Sequence, residues 1–101
     1  MKTPTKQSQF HGKVPLITGG TAGIGAATVK RISELGANVL FTARHVENAQ
    51  RIIRYAERNP GEVVFVQADL SVPEEVRKII PLVVSTFGRL DFAFNNACSN
   101  I

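Results

Sequence analysis

The sequence holds a single cysteine, Cys98, so no disulfide can close within the chain and a bridge-stapled scaffold is excluded. That solitary thiol agrees with a reducing compartment. With no histidine or second cysteine at a catalytic spacing, it reads as a small loop residue and not a nucleophile. Long apolar runs are also missing. None approaches the roughly 18 residues that a membrane span requires, and Met1 to Lys6 lacks the apolar stretch of a signal peptide. A cytoplasmic protein with no membrane partner and no metal site is expected. Tyrosine occurs once, as Tyr55.

Acidic residues are absent from the first thirteen positions, which carry Lys2, Lys6 and Lys13, so most of the formal net charge of +4 sits in this segment. The remainder is nearly balanced. Arg51, Arg54 and Arg58 recur at helical spacing, but Glu47 precedes Arg51 by one helical turn and Glu57 interrupts the run. A solvated helix face accounts for them better than a nucleic-acid stripe. At 101 residues and 44% apolar content the chain has the size of one domain with a modest core.

Residues 1–12 are polar, contain Pro4 and show no periodicity, which predicts a flexible arm ahead of a domain over residues 13–101. From Lys13 two kinds of element alternate. Val14 to Thr18 reads as a strand, and Gly23 to Leu35 as a helix with Ile24, Thr28, Ile32 and Leu35 inward and Gly36 as its stop. Ala37 to Ala43 is a second strand. Val46 to Arg58 reads as a second helix that turns Val46, Ala49, Ile53 and Ala56 inward and ends at Asn59-Pro60-Gly61.

A third strand covers Glu62 to Ala68. Ser71 with Glu74 has the form of a capping box, opening a third helix to about Phe87, and Leu90 to Asn95 makes the fourth strand. This alternation predicts an α/β, Rossmann-like, doubly wound parallel sheet in the order 3-2-1-4, truncated after its fourth strand. Two prolines strain the pattern. Pro15 falls in a central strand, where a missing N–H is tolerated only near the start, and Pro81 falls inside a helix at a cost of about 3 kcal/mol unless the helix kinks or breaks.

Within that pattern the chemistry gathers at Thr18-Gly19-Gly20-Thr21-Ala22-Gly23-Ile24-Gly25. An apolar strand delivers spaced glycines onto a helix start, where backbone N–H groups and the helix's positive end can cradle a diphosphate. A tight turn with close helix packing would use the same glycines. Ala26, not Lys, follows Gly25, so the phosphate-loop pattern of ATPases fails. The second strand ends in Ala43-Arg44. An NAD site places an acid there for the ribose hydroxyls, whereas an NADP site avoids the acid and offers a cation to the 2′-phosphate. Ala43 and Arg44 fit NADP(H) better than NAD(H), the other reading of Arg44 being a solvated loop residue.

Three segments then carry a family resemblance: Thr18 through Gly25, Asp69-Leu70 after the third strand, and Asn95-Asn96-Ala97 after the fourth. From Gly12 onward the chain resembles the N-terminal part of a short-chain dehydrogenase/reductase. The resemblance implies that Thr18, Gly19, Thr21, Gly23, Ile24 and Gly25 line the cofactor's diphosphate. It implies also that Asp69 accepts from the adenine amino group, that the Leu70 backbone meets the ring, and that Asn95, Asn96 and Ala97 belong to the cofactor site, with Asn95 tying strands together near the cofactor. Asp69 has a second reading, as the residue that ends a strand and helps to start a helix.

Cys98 stands where the family's last motif has Gly. The family's catalytic Ser, and its Tyr and Lys four apart, belong to the half that follows the fourth strand. Tyr55 has Asn59 four residues on and Ser99 comes too early, so no residue is assigned a catalytic role. The chain reads as the NADP(H)-binding part of an oxidoreductase, encoded or recorded short and inactive by itself. It would meet a small carbonyl or alcohol substrate only with the missing half supplied, and its open fourth strand predicts self-association. The alternative is a non-catalytic nucleotide-binding or interaction remnant.

Overall fold

The computed structural model describes residues 10–19 and 23–95. Along them strands and helices alternate as β1 (Pro15–Thr18), α1 (Gly23–Glu34), β2 (Val39–Ala43), α2 (Val46–Ala56), β3 (Val63–Gln67), α3 (Pro73–Phe87) and β4 (Phe92–Asn95). The strands form one parallel sheet in the order β3-β2-β1-β4. This is the doubly wound order expected from the alternation of elements.

Register makes two faces. Phe94, Ile17, Phe41 and Phe65 lie side by side across the four strands, and so do Ala93, Leu16, Leu40 and Val64 one residue earlier. Ile17 and Phe41 pack with Val29 of α1 and with Ala49 and Ile52 of α2; Leu16 and Leu40 pack with Ile79 and Val83 of α3. A strand covered on both sides has no polar face, which is why Val39 to Ala43 is buried at every position.

The buried stripes of α1 and α2 differ from the sequence reading. In α1 the inward residues are Gly25, Val29 and Ser33, with Ala26 and Ile32 at the margin, while Ile24 is 68% exposed. Gly25 and Ala26 take the inward positions at the start of α1, and the larger Ile24 faces outward. In α2 Ile52 is buried with Ala49 and Ala56, and Ile53 is only half-buried. Two adjacent isoleucines offer two equivalent stripes, and packing against α1 and β3 selects between them.

The third helix also starts differently. Its N-cap is Val72, not Ser71, with no side-chain cap bond. Pro73 at the first helical position drives its predecessor into extended backbone, which places the cap one residue later. Ser71 donates instead to Asp69 Oδ1 from both its N–H (3.0 Å) and its hydroxyl (2.7 Å). Glu75, not Glu74, then reaches back to accept the Asp69 N–H at 2.6 Å. The helix runs unbroken through Pro81, which is exposed, so the Arg77 carbonyl that loses its donor lies on the wet side.

Pro15 is tolerated because it opens β1. Ahead of it, the Val14 N–H donates to Asp91 Oδ2 (2.7 Å) and the Val14 carbonyl accepts the Asp91 N–H (2.8 Å). The Arg89 guanidinium, 2.7 Å from Asp91 Oδ1, and the Val14 N–H hold the Asp91 carboxyl below the usual carboxylate range. Phe10, within the segment expected to be a loose arm, is docked: its N–H donates to the Leu35 carbonyl (3.1 Å) and its ring lies 6.3 Å from that of Phe92.

At the far end of α1, Gly36 (φ 98°) closes the helix with Gly36 N–H to Ser33 O and Ala37 N–H to Ile32 O. The turn before β3 docks on this end. Asn59 Nδ2 donates to Ser33 Oγ (2.8 Å), and the Gly61 N–H donates to the Ser33 carbonyl (3.0 Å). A Cβ on Gly61 would stand 1.7 Å from the Ala37 carbonyl oxygen. Gly61→Ala is therefore expected to destabilise the chain by about 1–3 kcal/mol. Thermal unfolding by circular dichroism should show the midpoint lowered by roughly 4–8 °C per kcal/mol. An unchanged midpoint would show that the turn relaxes freely.

Candidate functional site

Parallel strands in register end at one edge, so the residues that follow them meet there. Thr18 is level with Thr42 on one side and with Asn95 on the other, and Ala43 is level with Gln67. The carboxyl edge thus brings Thr18 and Gly19, Arg44, Asp69 and Leu70, and Asn95 to the same end of the sheet. Thr21, Asn96 and Ala97, like Cys98, lie outside the described residues.

Thr18 Oγ1 donates to Asn95 Oδ1 at 2.8 Å, joining the ends of β1 and β4. On the other flank the Gly19 N–H donates to the Thr42 carbonyl at 2.9 Å, so the first glycine is tied to β2. Thr42 was not singled out in the sequence. Its hydroxyl is buried and makes no hydrogen bond among the described residues, a desolvation cost of about 1–3 kcal/mol at this strand end.

Gly19 and Gly23 adopt φ of 72° and 57°, backbone that side chains oppose, and each bounds the turn into α1. A Cβ placed on Gly23 meets no described atom within 4 Å, so the first residue of α1 is open to approach. The first turn of α1 contains no acidic residue, which leaves its positive end uncompensated. Gly25 is buried on the inward face of α1. An open, positive helix start fits a diphosphate. Ile24, exposed beside this turn, contributes its carbonyl to Thr28 Oγ1 at 2.7 Å.

Ala43 is buried and Arg44 exposed at the end of β2. Gln67 Nε2 donates to the Arg44 carbonyl at 2.8 Å. Asp69, across the same edge, is held below the usual carboxylate range by the Ser71 hydroxyl and N–H, with the Arg44 charge as a smaller contribution. The carboxylate is thus ionised and one of its oxygens is engaged in a local turn, as in its reading as a strand end. The Leu70 side chain packs under the edge against the α3 face of the core. The role of Gln67 had only one signal in the sequence, a polar residue closing the apolar run Val63 to Val66.

Tyr55 is far from this edge in function as well as place. It lies half-exposed on α2, donates to Glu34 Oε2 at 3.1 Å and has Lys30 Nζ 4.8 Å from its ring centroid. The hydrogen bond and the charge of Glu34 raise its pKa, the direction opposite to that of an activated proton donor. A shallow cleft of about 410 Å³ sits at the opposite end of the sheet, lined by Asn38, Ile53, Glu57, Asn59 and Glu62. No helix among the described residues is long and apolar enough to cross a membrane.

Comparison with known proteins agrees with this geometry. Residues 13–101 match the family model of the short chain dehydrogenases. An uncharacterised oxidoreductase of Listeria monocytogenes is 36% identical over 88 residues, covering 87% of this chain and 36% of the relative. A solved double mutant of a Serratia marcescens short-chain dehydrogenase/reductase superposes with a TM-score of 0.84 at 36% identity, covering 90% of this chain and 38% of that one. An NAD+-bound xylitol dehydrogenase gives the same TM-score at 32% identity, with 90% and 35% covered. The chain spans little more than a third of the length of these relatives, and the family's catalytic Ser, Tyr and Lys lie outside it. Motif, topology and similarity converge: the chain belongs to the short chain dehydrogenase family.

Proposed function

We propose that the chain is the NADP(H)-binding part of a short-chain-type oxidoreductase and that, alone, it binds dinucleotide without turnover. One observation carries the cofactor choice: the end of β2 presents the exposed Arg44 beside the small, buried Ala43, with no carboxylate for ribose hydroxyls. Bound there, a nicotinamide cofactor would supply the hydride donor or acceptor. The backbone at Gly19 and Gly23 and the start of α1 would hold its diphosphate, with Thr18, Thr21, Ile24 and Gly25 shaping the turn. Arg44 would meet the 2′-phosphate, and Asp69 and Leu70 the adenine. Asn95, Asn96 and Ala97 would brace the strand end beside it. The NAD+ in the similar xylitol dehydrogenase supports the class of ligand, while the preference within the class rests on Arg44 and Ala43 of this chain.

Arg44 to a 2′-phosphate is a charge-assisted contact worth about 1.5–3 kcal/mol. Ala22 leaves the family's second basic position without a cation, so the lower end applies. Calorimetric titration is expected to show NADPH bound roughly tenfold more tightly than NADH. Arg44→Ala should abolish that difference, and equal affinities in the parent chain would overturn the assignment.

Gly25→Val is expected to eliminate NADPH binding, because a branched side chain lifts α1 and moves the turn. Fluorescence titration beside far-ultraviolet circular dichroism checks this. Retained affinity would reduce the glycines to a turn.

Self-association belongs to the same proposal. Beyond β1, no described strand pairs with β4, and Phe92 and Phe94 are 38% and 39% exposed on one face. Val76, Ile80 and Val84 repeat every four residues on α3, each exposed by nearly half. A strand edge flanked by apolar patches is a template for a second copy. Light scattering after size exclusion should find oligomers, and NADPH oxidation with ketones and aldehydes should be absent. A monodisperse monomer or reproducible turnover would refute the corresponding half.

A further inference from the structure

Arg44 is the first residue beyond the β2 ladder. The last backbone bond between β2 and β3 runs from the Ala68 N–H to the Ala43 carbonyl at 2.9 Å. Past it the chain turns through His45, the N-cap of α2, which makes no side-chain cap bond. Only a side chain continues the pairing: Gln67 Nε2 donates to the Arg44 carbonyl at 2.8 Å, adding one rung to the ladder at the residue that bears the cation. Among the described residues Arg44 forms no salt bridge, since the two present join Arg31 to Glu34 and Arg89 to Asp91.

An arginine is long and loses rotamer freedom when it engages an anion. Its reach is useful only if its backbone origin is held, and past the Ala43 carbonyl, which accepts the Ala68 N–H, no further ladder bond among the described residues holds the Arg44 carbonyl. The Gln67 amide does. It is an exposed position on an edge strand, so neither core packing nor the β3 fold requires a hydrogen-bond donor of this length there.

We propose that Gln67 is a positioning residue for cofactor specificity, which sets the affinity for the 2′-phosphate of NADP(H) by fixing the backbone of Arg44. The inference rests on the reading of Arg44 as the phosphate contact. Because NAD(H) lacks the 2′-phosphate, the effect of Gln67 is confined to NADP(H). A residue that merely stabilised the sheet edge would weaken both cofactors together.

The variant is Gln67→Met, which keeps the length of the side chain and removes the donor. In calorimetric titrations of the full chain, NADPH affinity is expected to fall about threefold to tenfold, as for the loss of one hydrogen bond. NADH affinity and the thermal midpoint should stay unchanged. In an Arg44→Ala background, Gln67→Met should have no further effect on NADPH, the signature of two residues acting as one unit. Equal losses for both cofactors, a loss that persists without Arg44, or full retention of NADPH affinity would each overturn the proposal. A parent chain that binds neither cofactor would overturn the dinucleotide reading itself, and this inference with it.

Discussion

Everything at the candidate site depends on the in-register pairing of β1 with both of its neighbours. Ile17 is level with Phe41 and Phe94, and Leu16 with Leu40 and Ala93, so β1 contributes to both cores at once. A slip of β1 by one residue would exchange its two faces, setting Leu16 against α1 and α2 in place of Ile17. The same slip would part Thr18 from Asn95 and Gly19 from Thr42. Packing and site geometry are therefore one constraint. The Val14 and Asp91 exchange, two hydrogen bonds ahead of Pro15, pins that register from the other end of the strand.

The carboxyl edge is built from opposed demands. Gly19 and Gly23 give up side chains so that the backbone can turn left-handed at an open, positive helix start. Arg44 brings a positive charge to the neighbouring strand end, and the ionised Asp69 moderates it from the next. The charges alternate across the edge, cation at β2 and carboxylate at β3. Thr42 keeps a buried hydroxyl with no hydrogen bond among the described residues at this end of the sheet.

Element order and strand order were legible because they follow from periodicity and from glycines placed where helices stop. The helix faces were legible only in part. Ile52 and Ile53 are chemically identical, and a stripe through either satisfies helical spacing, so contact with α1 and β3 decided it. Ile24 looked inward by spacing, yet Gly25 and Ala26 take the inward positions and leave it exposed. Ser71 and Glu74 formed a capping pattern that Pro73 shifted by one residue. Phe10 sits in a polar context that conceals its contact with Phe92.

By itself the sequence determined the α/β class, the 3-2-1-4 order and the small set of residues that end the strands, since these depend on local periods, turn residues and the handedness of crossovers. It also placed the glycines and Arg44 on the same side of the fold, because every strand of a parallel sheet ends at the same edge. Only the tertiary structure decided which polar groups pair across that edge: Thr18 with Asn95, Gly19 with Thr42, Gln67 with Arg44. Such pairs join residues up to 77 positions apart. Their partners are set by angstrom-scale register between strands, and no local pattern in the chain encodes that distance.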